Sequence, residues 1–230
     1  DRTPDEAGQI LRLFEQLVEA IEIGGDGIEF EGAISGGAFV EVSDNHDIIG
    51  GAQNGINFED TVTSSTVLIS GNNNAGITGV LDGIHFAGVV DDSDILIDDN
   101  DVLGDDEGVE FAAAVQNGST VTISNNVRIH GVGDDGILFG GAISGATTTI
   151  GITGNTLIRG DSRGIAFENG ATITDASVTI ADNAEIRADT IDAILFNDTL
   201  TNAIVLIGGA TDADGNDLVI GGEDGIDVEA

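Results

Sequence analysis

Four oxygen-bearing residues near the end of the chain have the spacing of a cation-binding loop. Counted from the first of them, they fall at positions 1, 3, 5 and 12, and the last is a glutamate. They are Asp212, Asp214, Asn216 and Glu223. Carboxylate and amide oxygens are the ligands that Ca²⁺ prefers, and a twelfth-position glutamate can supply two oxygens. The sequence therefore predicts a calcium site at these four residues.

This loop resembles two known calcium motifs. Its spacing is similar to the calcium loop of an EF-hand, although Asp217 stands where that loop has its turn glycine and no flanking helices are evident. Residues 215–222 followed by Asp227 also resemble the nonapeptide repeat of secreted RTX proteins, with one extra residue before Asp227. Both resemblances imply calcium as a stabilising cofactor. An ordinary acidic insertion loop is the alternative.

A second set of carboxylates recurs immediately before a repeated glycine. Asp82, Glu107 and Asp135 occupy this position in three consecutive repeats. If the repeats stack, neighbouring carboxylates repel each other by roughly 0.9 kcal/mol even in water. A bound cation would remove this repulsion, and solvated acidic turns are the alternative interpretation.

The elements that position all these residues are sequence repeats. A Gly-Ile-x-Phe signature, with Val in place of Ile in one copy, recurs with its glycines 28, 28, 25, 28 and 28 residues apart. The copies begin at Gly27, Gly55, Gly83, Gly108, Gly136 and Gly164, and a degenerate seventh copy begins at Ala193. A fixed period of this size is typical of proteins in which each repeat stacks on the next.

Each repeat predicts three short strands and no helix. The signature is followed by a branched apolar residue, a Val/Ile-x-Val/Ile pair, an asparagine and a third apolar element. Alternation of this kind is strand periodicity. Stacked coils would place seven phenylalanines in one buried column and the asparagines in one amide ladder. The asparagines are Asn45, Asn72, Asn100, Asn126, Asn155 and Asn183.

This coil pattern resembles the right-handed parallel β-helix family. Within that family it is most similar to the passenger regions of autotransporters and to large repeat-containing bacterial surface proteins. The resemblance covers residues 25–230 and implies an all-β, right-handed parallel β-helix (a β-solenoid) of about seven three-strand coils. It also implies a structural module such as a stalk, adhesin or self-assembling fibre subunit, with cell-surface polysaccharide as one partner.

Residues 1–24 differ from the rest and predict an N-terminal capping helix. Thr3 and Glu6 form a capping box around Pro4, which suits the first helical position. An apolar stripe at helical spacing follows, and Gly24 ends the segment. An amphipathic helix over residues 4–22 would cover the open end of the first coil. Self-association through the stripe is the alternative.

Charge and composition restrict the function. The net charge of -36, with no lysine, is the wrong sign for a nucleic-acid surface. Such self-repulsion favours saline or calcium-containing surroundings, so we expect an extracellular or cell-surface location. No cysteine is present, which excludes disulfides and thiolate metal sites. Apolar runs are far shorter than the roughly 20 residues of a membrane span, and no membrane insertion is expected.

The repeat pattern also bears on two other function classes. A polysaccharide-active β-helix enzyme, a lyase or hydrolase, is the main alternative, but such enzymes build clefts from long loops, and these coils are short and nearly uniform. The arginines at 128, 159 and 187 are predicted to face outward beside the third strand. Ice binding would need a regular Thr-x-Thr array, which the repeats lack. We therefore expect no enzymatic activity.

Residues 224–228 restart the repeat signature with Val228 in place of phenylalanine. A last coil without a cap exposes strand edges and apolar core, a surface that favours stacking. Two outcomes are open: the chain belongs to a longer polypeptide that continues the rod, or copies of the chain join end to end. We favour end-to-end association, with the N-terminal helix of one copy covering the last coil of the next.

Overall fold

Each repeat folds into one coil of four strands, and each strand pairs in parallel with the equivalent strand of the next coil. The computed structural model describes residues 10–13, 25–168, 170–208 and 215–229. These residues form an all-β parallel β-solenoid of about seven coils, with no helix among them. The repeat architecture predicted from the sequence is confirmed; the right-handed sense stays a prediction.

The strands form four sheets, which we name in their order along a coil. The Phe sheet contains Ile28–Phe30, Ile56–Phe58, Ile84–Phe86, Val109–Phe111, Ile137–Phe139, Ile165–Phe167, Ile194–Phe196 and Ile226–Val228. The short sheet contains Val62–Thr63, Val90–Asp91, Val115–Gln116, Ile143–Ser144, Ile173–Thr174 and Leu200–Thr201. The long sheet contains Ile10–Leu13, Phe39–Ser43, Thr66–Ser70, Asp94–Asp98, Thr120–Ser124, Thr149–Thr153, Ser177–Ala181 and Ile204–Ile207. The fourth sheet contains Asp47–Ile49, Gly76–Gly79, Asp101–Gly104, Arg128–Gly131, Ile158–Gly160, Ile186–Ala188 and Val219–Ile220.

The prediction of three strands per coil is wrong by one. The branched apolar residue after each phenylalanine begins a two-residue strand of its own, as at Val90–Asp91. Its apolar side chain is buried and the next residue is half-buried. Two residues are too few to display the alternation by which a strand is recognised in a sequence.

The phenylalanine column is confirmed. Rings from Phe30 to Phe196 stack with centroids 4.4–5.0 Å apart and planes within 5° of parallel. Isoleucine and valine of all four sheets complete the core around them. Identical side chains stand above one another because the sheets are in register, so each ring fills the space beside the next.

The signature glycines are required by close approach between coils and not by a left-handed backbone. A Cβ atom on Gly108 would lie 2.5 Å from the carbonyl oxygen of Gly136 and 2.8 Å from Cγ2 of Ile129. A Cβ atom built on any of the other five signature glycines would lie 2.6–2.7 Å from the carbonyl oxygen of the equivalent residue in the following coil. None of the six has a positive φ. Any side chain here would push two coils apart.

Gly108→Ala is therefore expected to lower the free energy of unfolding by about 1–3 kcal/mol, the usual cost of overpacking. The matched control is Gly151→Ala, because no atom lies within 4 Å of a Cβ built at Gly151 and its φ is not positive. Chemical denaturation of both variants checks the prediction. Equal stability of the two variants would contradict the proposed steric role.

The asparagine ladder is also confirmed, and it has one more member than predicted. The backbone N–H and side-chain Nδ2 of each asparagine donate to Oδ1 of the next, as Asn100 does to Asn126 at 2.9 and 3.2 Å. The same Nδ2 reaches back to a strand carbonyl of the preceding coil, as Asn126 does to Ile97 at 3.0 Å. Asn216 is the seventh member, since its Oδ1 accepts from Asn183.

Most of the N-terminal segment lies outside the described residues, and so does most of the predicted capping helix. Its four described residues, Ile10–Leu13, form a strand that pairs in parallel with residues 39–42 at the edge of the long sheet. An open edge offers unpaired backbone groups to any nearby extended segment. Within the described ranges, no helix has the length and apolar character needed to cross a membrane.

Candidate cation site

The outer face of the Phe sheet is covered along much of its length, although Glu29 at its first strand is exposed. The x residue of Gly-Ile-x-Phe should face solvent by strand alternation, yet Asn57 and Leu138 are each 6% exposed. Asn57 shows what covers this face, because its Nδ2 donates to Oδ2 of Asp26 at 3.3 Å. Asp26 stands before a signature glycine. The side chains of the pre-glycine turn therefore lie against the outer face of the sheet.

These pre-glycine side chains form a column of hydrogen bonds between coils. Asp26, Asn54, Asp82 and Asp192 each use an oxygen to accept the backbone N–H of the equivalent residue in the next coil, at 2.7 Å from Asn54 to Asp26 and 3.0 Å from Asp82 to Asn54. The bond from Glu107 to Asp82 is 3.3 Å. Asp82, Glu107 and Asp135 do lie in consecutive coils, but they are 5%, 8% and 0% exposed. The interpretation of this column as solvated turns is therefore wrong.

Five polar side chains of the pre-glycine turns and of the x positions lie close together. We call them the Asp82 cluster; they are Asp82, His85, Asp106, Glu107 and Glu110. Ligand-type atoms of Asp82, His85 and Glu110 all lie within 4.8 Å of one another, and so do those of Asp82, Asp106 and Glu107. His85 Nε2 is 3.2 Å from Glu110 Oε2. On its other side, His85 Nδ1 is 3.2 Å from Asn57 Oδ1. Asp82 therefore belongs to two potential cation-binding groups.

Burial and neighbouring carboxylates raise the pKa values of three acids in the Asp82 cluster, Asp106, Glu107 and Glu110. Burial, with the neighbouring Asp82 carboxylate, raises the pKa of Glu107 to about 9. Burial, followed by the charge of Asp82, raises the pKa of Glu110 to about 7. The pKa of Asp106 is also raised, chiefly by burial and then by Asp82 and Asp134. A cluster that gathers protons in this way has a deficit of positive charge that a metal ion could supply.

Asp135 continues the column but lies in a different environment. Arg163 Nη1 is 3.6 Å from Asp135 Oδ2 and 3.3 Å from Glu168 Oε2. Neither carboxylate oxygen of Asp135 has a hydrogen-bond partner among the described residues. Burial is the largest influence and, with Asp134 and Glu168, outweighs Arg163, so the pKa of Asp135 is raised to about 7.

Asp135→Asn should change how stability depends on pH. Between the ordinary value of 3.8 and about 7, the unfolded chain releases the Asp135 proton while the folded chain retains it, so stability falls as pH rises. Wild type is expected to lose about 2–3 kcal/mol more than the variant between pH 5 and pH 8. Asparagine suits the position, because Asn54 occupies it in an earlier coil.

Urea denaturation across that pH range measures the difference, with exposed Asp182→Asn as the control. Parallel curves for wild type and Asp135→Asn would show that burial of this carboxyl does not affect folding.

The structure describes two of the four residues of the predicted calcium loop, Asn216 and Glu223. Asp212 and Asp214 lie outside the described residues. Asn216 closes the asparagine ladder, and its Oδ1 accepts both hydrogen bonds from Asn183, at 3.1 and 2.9 Å. Glu223 is exposed, with its backbone N–H bonded to the Ile191 carbonyl. Calcium at this loop stays a prediction.

Sequence reasoning did not single out His85 and Glu110 as partners of the carboxylate column. The available signal was their position, because both are x residues of consecutive signatures, following Asn57. The outward arginines are confirmed on the fourth sheet, where Arg128 pairs with Asp101 at 2.7 Å. Arg159 and Arg187 both pair with Asp189.

The fold and the site together define a parallel β-solenoid with a buried carboxylate–histidine cluster on one sheet. No family model, no curated protein and no solved structure matches this chain.

Proposed function

We propose that this chain is a rigid structural module of a secreted or cell-surface protein, of the autotransporter or surface-repeat type. The supporting observation is the uninterrupted stack of seven phenylalanine rings, accompanied by an asparagine ladder of matching length. Each coil is bonded to the next at the same positions, so the rod has a uniform cross-section and resists bending. Rigid length and high surface charge are the properties that a stalk or fibre subunit requires.

Antibodies raised against the folded chain test this proposal on intact cells of the source organism. Labelling of unpermeabilised cells or of extracellular fibres, removed by external protease, is the expected result. Labelling that requires permeabilisation would contradict it.

End-to-end association is part of the proposal. In the last described coil, residues in register with the core are exposed, including Ile226 at 46% and Val228 at 52%, which pair with Ile194 and Phe196. A second copy of the chain would cover them and pair with the open strands. Light scattering and electron microscopy at increasing protein concentration should show elongated oligomers. A strictly monomeric protein at high concentration, in both calcium and high salt, would contradict this part of the proposal.

Calcium is proposed as the stabilising ion, because the chain carries 42 acidic residues against six arginines. An ion that binds only the folded state stabilises it by mass action. The melting temperature should rise from chelator to millimolar calcium, with ionic strength matched by sodium. The paired variant Asp212→Asn, Asp214→Asn should lose most of that rise if the ion is held by this loop. An equal rise in the variant would exclude the loop.

A polysaccharide-active enzyme stays the second candidate. The observation in its favour is the Asp82 cluster, where burial sets the pKa of Glu107 near 9 and that of Glu110 near 7. Acids with separated pKa values can serve as proton donor and base. Release of reducing ends from a panel of acidic and neutral polysaccharides, lost in Glu110→Gln, would establish this activity. No release from any of them would remove it.

A further inference from the structure

The Asp82 cluster contains a three-residue ligand set of mixed chemistry. One imidazole nitrogen and two carboxylates, from Asp82, His85 and Glu110, have ligand atoms within 4.8 Å of one another. Successive coils supply them, and the parallel pairing of the Phe sheet places Glu110 directly above His85. The three side chains are therefore held by the backbone of two bonded strands and the turn between sheets.

The hydrogen bonds around His85 indicate which of its two ring nitrogens carries the hydrogen. The other nitrogen then has a lone pair directed at the carboxylates. Asn57 Nδ2 donates to Asp26, so its Oδ1 is the atom that faces His85 Nδ1 at 3.2 Å. An amide oxygen only accepts, so Nδ1 carries the hydrogen and Nε2 of a neutral imidazole is unprotonated. A lone pair 3.2 Å from a Glu110 oxygen is repulsive unless a proton or a metal ion lies between them. A bonded Nδ1–H is also the arrangement that orients histidine ligands in metal proteins.

Glu107 and Asp106 place further carboxyl groups beside this set. Only 8% of Glu107 is exposed, and its ligand-type oxygen lies within 4.8 Å of those of Asp82 and Asp106. Carboxyl groups gathered this closely repel one another when they ionise, and a cation among them would remove that repulsion.

We propose that Asp82, His85 and Glu110 bind one divalent transition-metal ion of the Zn²⁺ type, with the carboxyl groups of Asp106 and Glu107 beside it. An imidazole ligand favours such ions over Ca²⁺ and Mg²⁺, which take oxygen ligands. The site has an entry path, because the side chains of His85 and Glu110 are 20% and 21% exposed. It is distinct from the predicted calcium loop and does not depend on the proposed structural function.

Isothermal titration of Zn²⁺ into chelator-treated protein tests the proposal at neutral pH. Wild type should bind one equivalent, and both His85→Gln and Glu110→Gln should bind it at least about tenfold more weakly. His46→Gln is the matched control, because His46 is exposed and outside the cluster, and it should bind Zn²⁺ as wild type does. Thermal melting without metal confirms that each variant is folded.

Two further measurements separate a built site from adsorption to an acidic surface. Co²⁺ in place of Zn²⁺ should give a visible absorption band in wild type that His85→Gln lacks. Equimolar Ca²⁺ should leave Zn²⁺ binding unchanged. Equal affinity of folded His85→Gln and wild type, an equal loss in His46→Gln, or displacement of Zn²⁺ by equimolar Ca²⁺ would each overturn the proposal.

Discussion

Asn126→Ala is expected to lower the free energy of unfolding by about 2–6 kcal/mol, because it leaves two buried backbone groups without partners at about 1–3 kcal/mol each. Asn126 is fully buried. Its Oδ1 accepts the backbone N–H of Asn100 at 2.9 Å, and its Nδ2 donates to the Ile97 carbonyl at 3.0 Å. Alanine removes both bonds and interrupts the ladder between Asn100 and Asn155.

Urea denaturation followed by circular dichroism measures this loss. Asn74→Ala is the control, because Asn74 is exposed in the turn of an earlier coil, and it should change stability by less than about 0.5 kcal/mol. If the two variants were equally stable, the ladder would not contribute to folding. A broadened or two-step transition in Asn126→Ala would further indicate that the ladder couples the two halves of the solenoid.

Phe139→Ala is expected to cost about 3–5 kcal/mol, the usual loss when a buried phenylalanine is truncated. Phe139 is fully buried, and its ring centroid lies 5.0 Å from those of both Phe111 and Phe167. Register holds the flanking rings at the heights of their own coils, so they cannot fill the gap. The melting temperature should fall by roughly 6–20 °C for a chain of this size.

Two variants identify the origin of that loss. Phe139→Leu keeps most of the apolar volume and should cost much less, whereas Phe39→Ala removes a half-buried ring outside the column and should cost less than Phe139→Ala. Scanning calorimetry compares the three. A loss at Phe39 as large as that at Phe139 would contradict the importance of the stacked column.

The parts of the fold that could be predicted are those in which one residue type recurs at one period. Phenylalanine and asparagine do so, and their stacking follows from the geometry of parallel strands in register. A recurring glycine by itself is compatible with either a positive φ or close backbone approach. The structure selects close approach, as at Gly108.

The candidate site could not be predicted in the same way. It combines the pre-glycine positions with the x positions of the signature, and the residue type at both changes from coil to coil. The x position is occupied by Asn57, His85 and Glu110 in turn, and strand alternation assigns all three to solvent. These side chains are covered because the pre-glycine turn folds over the outer face of the sheet. This contact joins a turn to a sheet, so the periodicity of residues within a strand does not predict it.

The place of Asn216 in the ladder could not be predicted from the sequence for a different reason. The Asn183 to Asn216 interval is 33 residues, longer than the usual 28, so the ladder position was concealed by an insertion. The same asparagine also fits the alternating oxygens of a calcium loop, and sequence spacing alone does not distinguish these roles. The hydrogen bonds from Asn183 show that the ladder continues across this longer interval.

The asparagine ladder also gives the solenoid a direction. From Asn45 to Asn216, every link donates from one coil to the oxygen of the next, so the amide dipoles all point the same way and polarise one another. At the ladder position, one face of each coil therefore presents the asparagine backbone N–H and Nδ2 as donors to the next coil. The opposite face presents the asparagine Oδ1 as the acceptor for the preceding coil. Two copies that met donor face to donor face could not extend the ladder, whereas donor face to acceptor face could. Assembly through coil faces is thus expected to be vectorial, giving a polar fibre with two chemically different ends and no two-fold axis across its length.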